Sequence, residues 1–214
     1  SKKKKNLMKK PPLTAWHNPE ITSDMVKGAR CELEGWKKLE ESDHFPALEG
    51  LLKTIPPNLK KLADLGCGAG EFSRVFPDYE YTGFDLPHVI ENVAMEVNPM
   101  GNYKKIDINQ VDFDIFSGYD IILCNSFISE LPNGEDILNS LFSVKPKYIL
   151  LHRQEITDDT MRSENYKTYG DLMTPKRILS NQFFNEAIPL YNFSPVRAFG
   201  IAPSLFSILF KRND

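Results

Sequence analysis

The stretch KKLADLGCGAGEF, residues 60–72, constrains the fold more than any other part of the chain. A short apolar run leads into Asp64, and glycines follow on alternate positions at 66, 68 and 70 before a new segment opens with Glu71. This is the form of a strand, a glycine turn and a short helix, in which backbone N–H groups meet a ligand with no side chains in the way. The segments around it comply with a sheet built on that unit. KKLADL, YEYTGFD, NYKKID, YDIILCN and KYILLHR read as strands, and the segments after Gly70, Pro87, Gly134 and Thr174 suit helices. Such alternation predicts a parallel sheet with helices on both faces. The unbroken apolar runs YDIILC and KYILLH suit strands covered on both sides.

The flanks differ. Residues 1–20 hold a lysine run and several prolines without periodicity and read as a basic tail. Residues 21–57 read as an N-terminal helical cap, and residues 58–214 as the ligand-binding domain. In the cap, TSD at 22–24 offers helix N-caps, and Met25, Ala29, Leu33, Trp36 and Leu39 recur at helical steps. A second helix fits HFPALEGLLKT. At the far end, AIPLYNFSPVRAF and PSLFSILFKR are β-rich with no helix between them, so they pair as an antiparallel hairpin. Residues 155–173 read as a polar, tyrosine-bearing loop beside the ligand.

Charge and cysteine usage narrow the function. Six of the 26 Lys and Arg residues lie in SKKKKNLMKK, which leaves 20 against 29 acids, a body of about −9. Such a body disfavours a nucleic-acid footprint. The three cysteines form no CxxC pair and no even framework, so no metal site is expected and a reducing, cytoplasmic setting is. No apolar run approaches a membrane span.

The glycine spacing separates ligand classes. A dinucleotide fingerprint, G-x-G-x-x-G, would place its third glycine at position 71, where Glu71 would face a diphosphate. No Gly-Lys-Ser/Thr follows for a P-loop either. The pattern present is D-x-G-x-G-x-G, Asp64 to Gly70, and here the chain resembles the class I S-adenosylmethionine-dependent methyltransferases over roughly residues 60–155.

That resemblance implies an α/β, Rossmann-like, mostly parallel seven-stranded sheet of order 3-2-1-4-5-7-6, with strand 7 antiparallel and here an N-terminal helical extension. It implies S-adenosyl-L-methionine as cofactor. Asp64 would hold the turn or the methionine amino group, and Gly66, Cys67, Gly68 and Gly70 would line the cofactor backbone. Asp85 would accept from the ribose hydroxyls, Leu86 would pack on adenine, and Asp107 and Ile108 would bond its edge. Asn125 and Ser126 would border the sulfonium, and Arg30 would reach the cofactor carboxylate from a helix that closes over it with Trp16 and His17.

A narrower likeness lies in FDLPHVI, which resembles the ribose-binding strand end of plant-type small-molecule O-methyltransferases. Those enzymes place a catalytic histidine after the fourth strand, where this chain has Ser129, with Glu130 beside it. The base is therefore sought elsewhere. His152, at the end of the fifth strand, is the first candidate and Glu130 the second. Arg153 is a candidate for an anionic group on the acceptor, and Tyr166 and Tyr169 for other substrate contacts. The expected activity is methyl transfer to a small polar metabolite, at oxygen. The alternatives are an RNA or protein methyltransferase tethered by the lysine run, or a silent module that only binds the cofactor.

Overall fold

The structure, a computed structural model, describes residues 14–169 and 172–214. The lysine run and its tethering role lie outside the described residues. Nine strands are described: β1 (Lys61–Leu65), β2 (Glu80–Asp85), β3 (Tyr103–Lys105), β4 (Ile121–Asn125), β5 (Tyr148–Thr157), β6 (Arg162–Lys167), β7 (Met173–Ser180), β8 (Phe193–Ala202) and β9 (Leu205–Arg212). The helices are α1 (Ile21–Ala29), α2 (Phe45–Leu52), α3 (Glu71–Val75), α4 (Pro87–Val89), α5 (Met95–Val97), α6 (Gly134–Val144) and α7 (Asn181–Leu190). A π-helical turn, Ile90–Ala94, fuses α4 to α5.

β3, β2, β1, β4 and β5 pair in that order, all parallel. β9 joins β5 antiparallel and β8 pairs with β9. Counting β8 and β9 as sixth and seventh gives the expected order 3-2-1-4-5-7-6, with the seventh antiparallel. The C-terminal hairpin exists, although its first strand starts at Phe193 because Ala187–Leu190 belong to α7.

One addition departs from expectation. Residues 162–180, read from sequence as loop and helix, form the antiparallel hairpin β6–β7, and the helix expected after Thr174 begins at Asn181. β7 attaches to the tip of β5 in parallel through Ile156↔Leu179 and Thr157↔Ser180. The sheet therefore forks on β5, with β9 alongside most of that strand and β7 at its end.

The sheet is covered on both faces. α6 and α7 pack on one side with Phe142, Phe184 and Phe210, and α2 and α3 on the other with Leu48, Leu51 and Phe72. α1 ends nearly three turns sooner than its periodicity predicts: Cys31 and Gly35 take left-handed φ of 59° and 79°, and Leu33 and Trp36 leave the helical path. Its first turn already contains TSD, with Glu20 at the N-cap position. α1 packs through Ile21 and Met25 on Val89 and Val93, a third cluster that brings residues 14–29 to the C-terminal ends of the parallel strands. Ligands gather at that end in open α/β sheets.

Candidate active site

A cavity of about 520 Å³ opens there, and the ends of β1, β2, β4 and β5 all contribute to its wall. The glycine loop forms the floor. Gly66 and Gly68 take left-handed φ of 69° and 53°, and the N–H groups of Gly66 and Cys67 both donate to Phe84 O, at 2.8 and 3.2 Å. A Cβ on Gly66 would overlap the Phe127 ring, so the chain can pass there only as glycine. Gly70 lies outside the wall, beside Tyr103.

Asp85 ties the loop to the end of β2. Its Oδ2 accepts from Gly68 N at 2.9 Å and its Oδ1 from Leu86 N at 2.7 Å. Burial pushes this carboxyl up to about 6 against the opposing pull of those two backbone donors. Asp64 is absent from the wall: it is buried beneath the loop, accepts from the Tyr81 hydroxyl at 2.9 Å and is pushed by burial up to about 7. Its side chain faces Tyr81 on β2 and not the cavity.

At one end of the cavity, Leu86, Asp107 and Ile108 stand together. Asp107 meets His17 Nε2 at 3.3 Å and accepts from Gln110 Nε2 at 3.0 Å, which pins the N-terminal segment to the loop after β3. Trp16 lies over this end, and His88 Nε2 bonds its carbonyl at 2.8 Å. The Trp16 indole Nε1 is buried and has no partner among the described residues. Tyr169 stacks on Trp36 at 5.1 Å between ring centroids and meets Trp16 edge-on at 6.1 Å. The hairpin β6–β7 and the N-terminal segment thus join over the cavity through aromatic rings. Arg30 does not reach it: its side chain is exposed and ion-paired with Glu96.

The other end is built from β4, β5 and the hairpin. Asn125 and Ser126 line it, Ser126 with left-handed φ of 52° and its N–H donating to His152 O at 2.8 Å. Glu130 Oε1 accepts from the Tyr166 hydroxyl at 2.8 Å, and burial pushes the Glu130 carboxyl up to about 7. Arg153 Nε donates to Asn125 Oδ1 at 2.9 Å. Glu155 and Lys176 pair across β5 and β7 at 2.8 Å.

His152 is a correction. It is fully buried and absent from the wall, with Nδ1 bonded to Ser207 Oγ at 2.6 Å and Nε2 to His44 Nδ1 at 2.8 Å. Burial and the Arg153 charge push it down to about 2, so it stays neutral inside the core. The register shift of β5 against β9 between Leu151 and Gln154 turns Arg153, not His152, to the cavity. The sequence reading missed Glu71, Trp36 and Lys176 on the wall. In the sequence Glu71 stands out only as an obstacle to a diphosphate.

A family profile described as a methyltransferase domain matches residues 41–188. No curated protein matches the sequence. Among solved structures, an amino pentose methyltransferase of calicheamicin biosynthesis from Micromonospora echinaspora is 12% identical and superposes with a TM-score of 0.59 over 81% of this chain and 92% of its own. An S-adenosylmethionine-dependent methyltransferase from Mesorhizobium loti is 13% identical, with a TM-score of 0.59 over 81% of this chain and 100% of its own. The 1,6-didemethyltoxoflavin-N1-methyltransferase of Burkholderia thailandensis is 16% identical, with a TM-score of 0.59 over 95% of this chain and 92% of its own. With the profile spanning most of the chain and the Rossmann-like sheet of these enzymes beneath it, the protein belongs to the methyltransferase-domain family.

Proposed function

We propose that the protein binds S-adenosylmethionine and transfers its methyl group to an oxygen of a small polar metabolite, with Glu130 as the base. The observation that carries the reading is the presence, in one cavity, of two half-buried carboxyls with different surroundings. Asp85 is clamped by backbone donors, whereas Glu130 is held by a single phenol.

The residues fit the cofactor. Asp85 retains lone pairs beyond its two backbone bonds, enough to accept from two ribose hydroxyls. Gly68 leaves room where a side chain would stand, the nearest atom to its missing Cβ being Met25 Cε at 4.0 Å. The unmatched Trp16 indole N–H offers a donor to a ligand at the Asp107 end. Leu86 and Ile108 would border a flat base there, and Asn125 and Ser126 the sulfonium. When bound, S-adenosylmethionine supplies a methyl group already activated for in-line displacement. The protein's part is then to align the acceptor and to take a proton from its hydroxyl. Glu130, ionised above about pH 7 and kept in place by Tyr166, is suited to that. Structural neighbours named for an amino pentose and for 1,6-didemethyltoxoflavin support a small acceptor, as does the aromatic cover of Trp16, Tyr169 and Trp36.

Calorimetric titration tests the reading. The wild type should bind S-adenosylmethionine and not NAD. Asp85→Ala should weaken the cofactor by about 30-fold or more, the worth of a charge-assisted contact. Unchanged affinity in that variant would remove the cofactor assignment.

A further inference from the structure

Arg153 stands in a left-handed backbone conformation, φ 58°, where the register of β5 against β9 shifts. Such a state is sparsely populated and persists only where its surroundings enforce it, and bulges beside sites serve to re-aim a side chain. Here the re-aimed guanidinium lies on the cavity wall, with one edge anchored by the Nε bond to Asn125 Oδ1 at 2.9 Å. The other edge is open. Among the described residues neither terminal nitrogen has a hydrogen-bond or ion-pair partner. Glu71 and Glu130 act on the guanidinium only through space. Lys176, the other lysine or arginine on the wall, is already matched by Glu155 at 2.8 Å.

A planar fork held by one edge and open at the other is a bidentate receptor for a carboxylate. We propose that the methyl acceptor is an acid, a small hydroxylated carboxylate whose anion docks on the open edge of Arg153 while its hydroxyl faces Glu130. The inference rests on the assignment of this cavity to S-adenosylmethionine and an acceptor. It adds the acceptor's charge and the end of the cavity at which it is read. A neutral acceptor would leave two donors of a half-buried guanidinium unmatched, at a cost that falls on binding.

The full chain, saturated with S-adenosylhomocysteine, should be titrated calorimetrically with matched pairs: 3-hydroxybenzoate and 3-hydroxybenzamide, 4-hydroxybenzoate and 4-hydroxybenzamide, glycerate and glyceramide. Phenyl phosphate provides a phosphate arm. At least one acid should bind about 10-fold or more tightly than its amide, the worth of a charge-assisted pair. Arg153→Gln should abolish the preference and Arg153→Lys, which keeps the charge but loses the fork, should retain part of it. S-adenosylhomocysteine affinity unchanged in both variants would establish that the fold and the cofactor site are intact. Acids and amides binding alike would overturn the inference, as would phenyl phosphate binding more tightly than every carboxylate. A loss of S-adenosylhomocysteine affinity in Arg153→Gln would assign the arginine to the cofactor's own carboxylate and overturn it equally. Failure of the wild type to bind S-adenosylhomocysteine at all is a different result, and removes the cavity assignment beneath it.

Discussion

With Glu130 as the proposed base, it and its donor Tyr166 set how the site is expected to respond to pH. A base must be ionised, and burial pushes the Glu130 carboxyl up to about 7, so kcat/KM should fall as pH drops through that value. The Tyr166 hydroxyl bond favours the ionised form. Tyr166→Phe should therefore raise the carboxyl further and move the acid limb to higher pH, a shift that a purely structural tyrosine would not produce. Glu130→Gln should lower kcat by about 10²–10⁴ and leave cofactor affinity intact. Methyl-transfer rates across pH 5–9 would check both, and a full-rate Glu130→Gln variant would sink the assignment. The contrast between His152 and Arg153 shows where sequence stopped being legible. They are neighbours in the middle of β5, and simple alternation says nothing of a register shift between Leu151 and Gln154 that buries one and presents the other. The place of Asp85 on the cavity wall was legible because it needs only a strand end at a set distance from the glycines.

At the scale of elements, α2 is stapled to the sheet by the bond between His44 and His152. Both imidazoles are held neutral, His44 pushed down to about 4 by burial and by Arg153 against the opposing pull of Asp43, and His152 to about 2. A histidine with a depressed folded value contributes stability that is complete above the unfolded value near 6.5 and is lost as pH falls toward the folded one. His44→Leu removes one such group and leaves His152 Nε2 unmatched in the core. It should cost about 1–3 kcal/mol at pH 8 and flatten the loss of stability between pH 6.5 and 4, as urea denaturation at several pH values would read. An acid profile as steep as wild type would argue against the staple. The hairpin β6–β7 was not legible because RSENYK is polar on both faces and almost wholly exposed, so no two-residue apolar alternation marks it. AIPLY was misread for the opposite reason: its residues favour strands, but Ala187 and Ile188 bury on the inner face of α7 and Pro189 falls in its last turn.

For the whole molecule, the parallel half was written in apolar runs and turn glycines, whereas the cover over the cavity depends on contacts between distant segments. Residues 14–36 meet the hairpin through ring contacts of Trp16 and Trp36 with Tyr169. The chain contains two tryptophans and both line the cavity, so its tryptophan fluorescence comes from the cover alone. Titration with S-adenosylmethionine should change the emission and saturate at the calorimetric affinity. Emission indifferent to a bound ligand would place that ligand elsewhere. The fork on β5 has a consequence for how such an enzyme can diversify. Asp85 and the glycine loop hang from β1 and β2, while Tyr166 and Tyr169 arrive on a hairpin joined to the sheet by two residue pairs at the tip of β5. Under the proposed function, exchanging that hairpin should retarget the acceptor while the donor half is inherited unaltered.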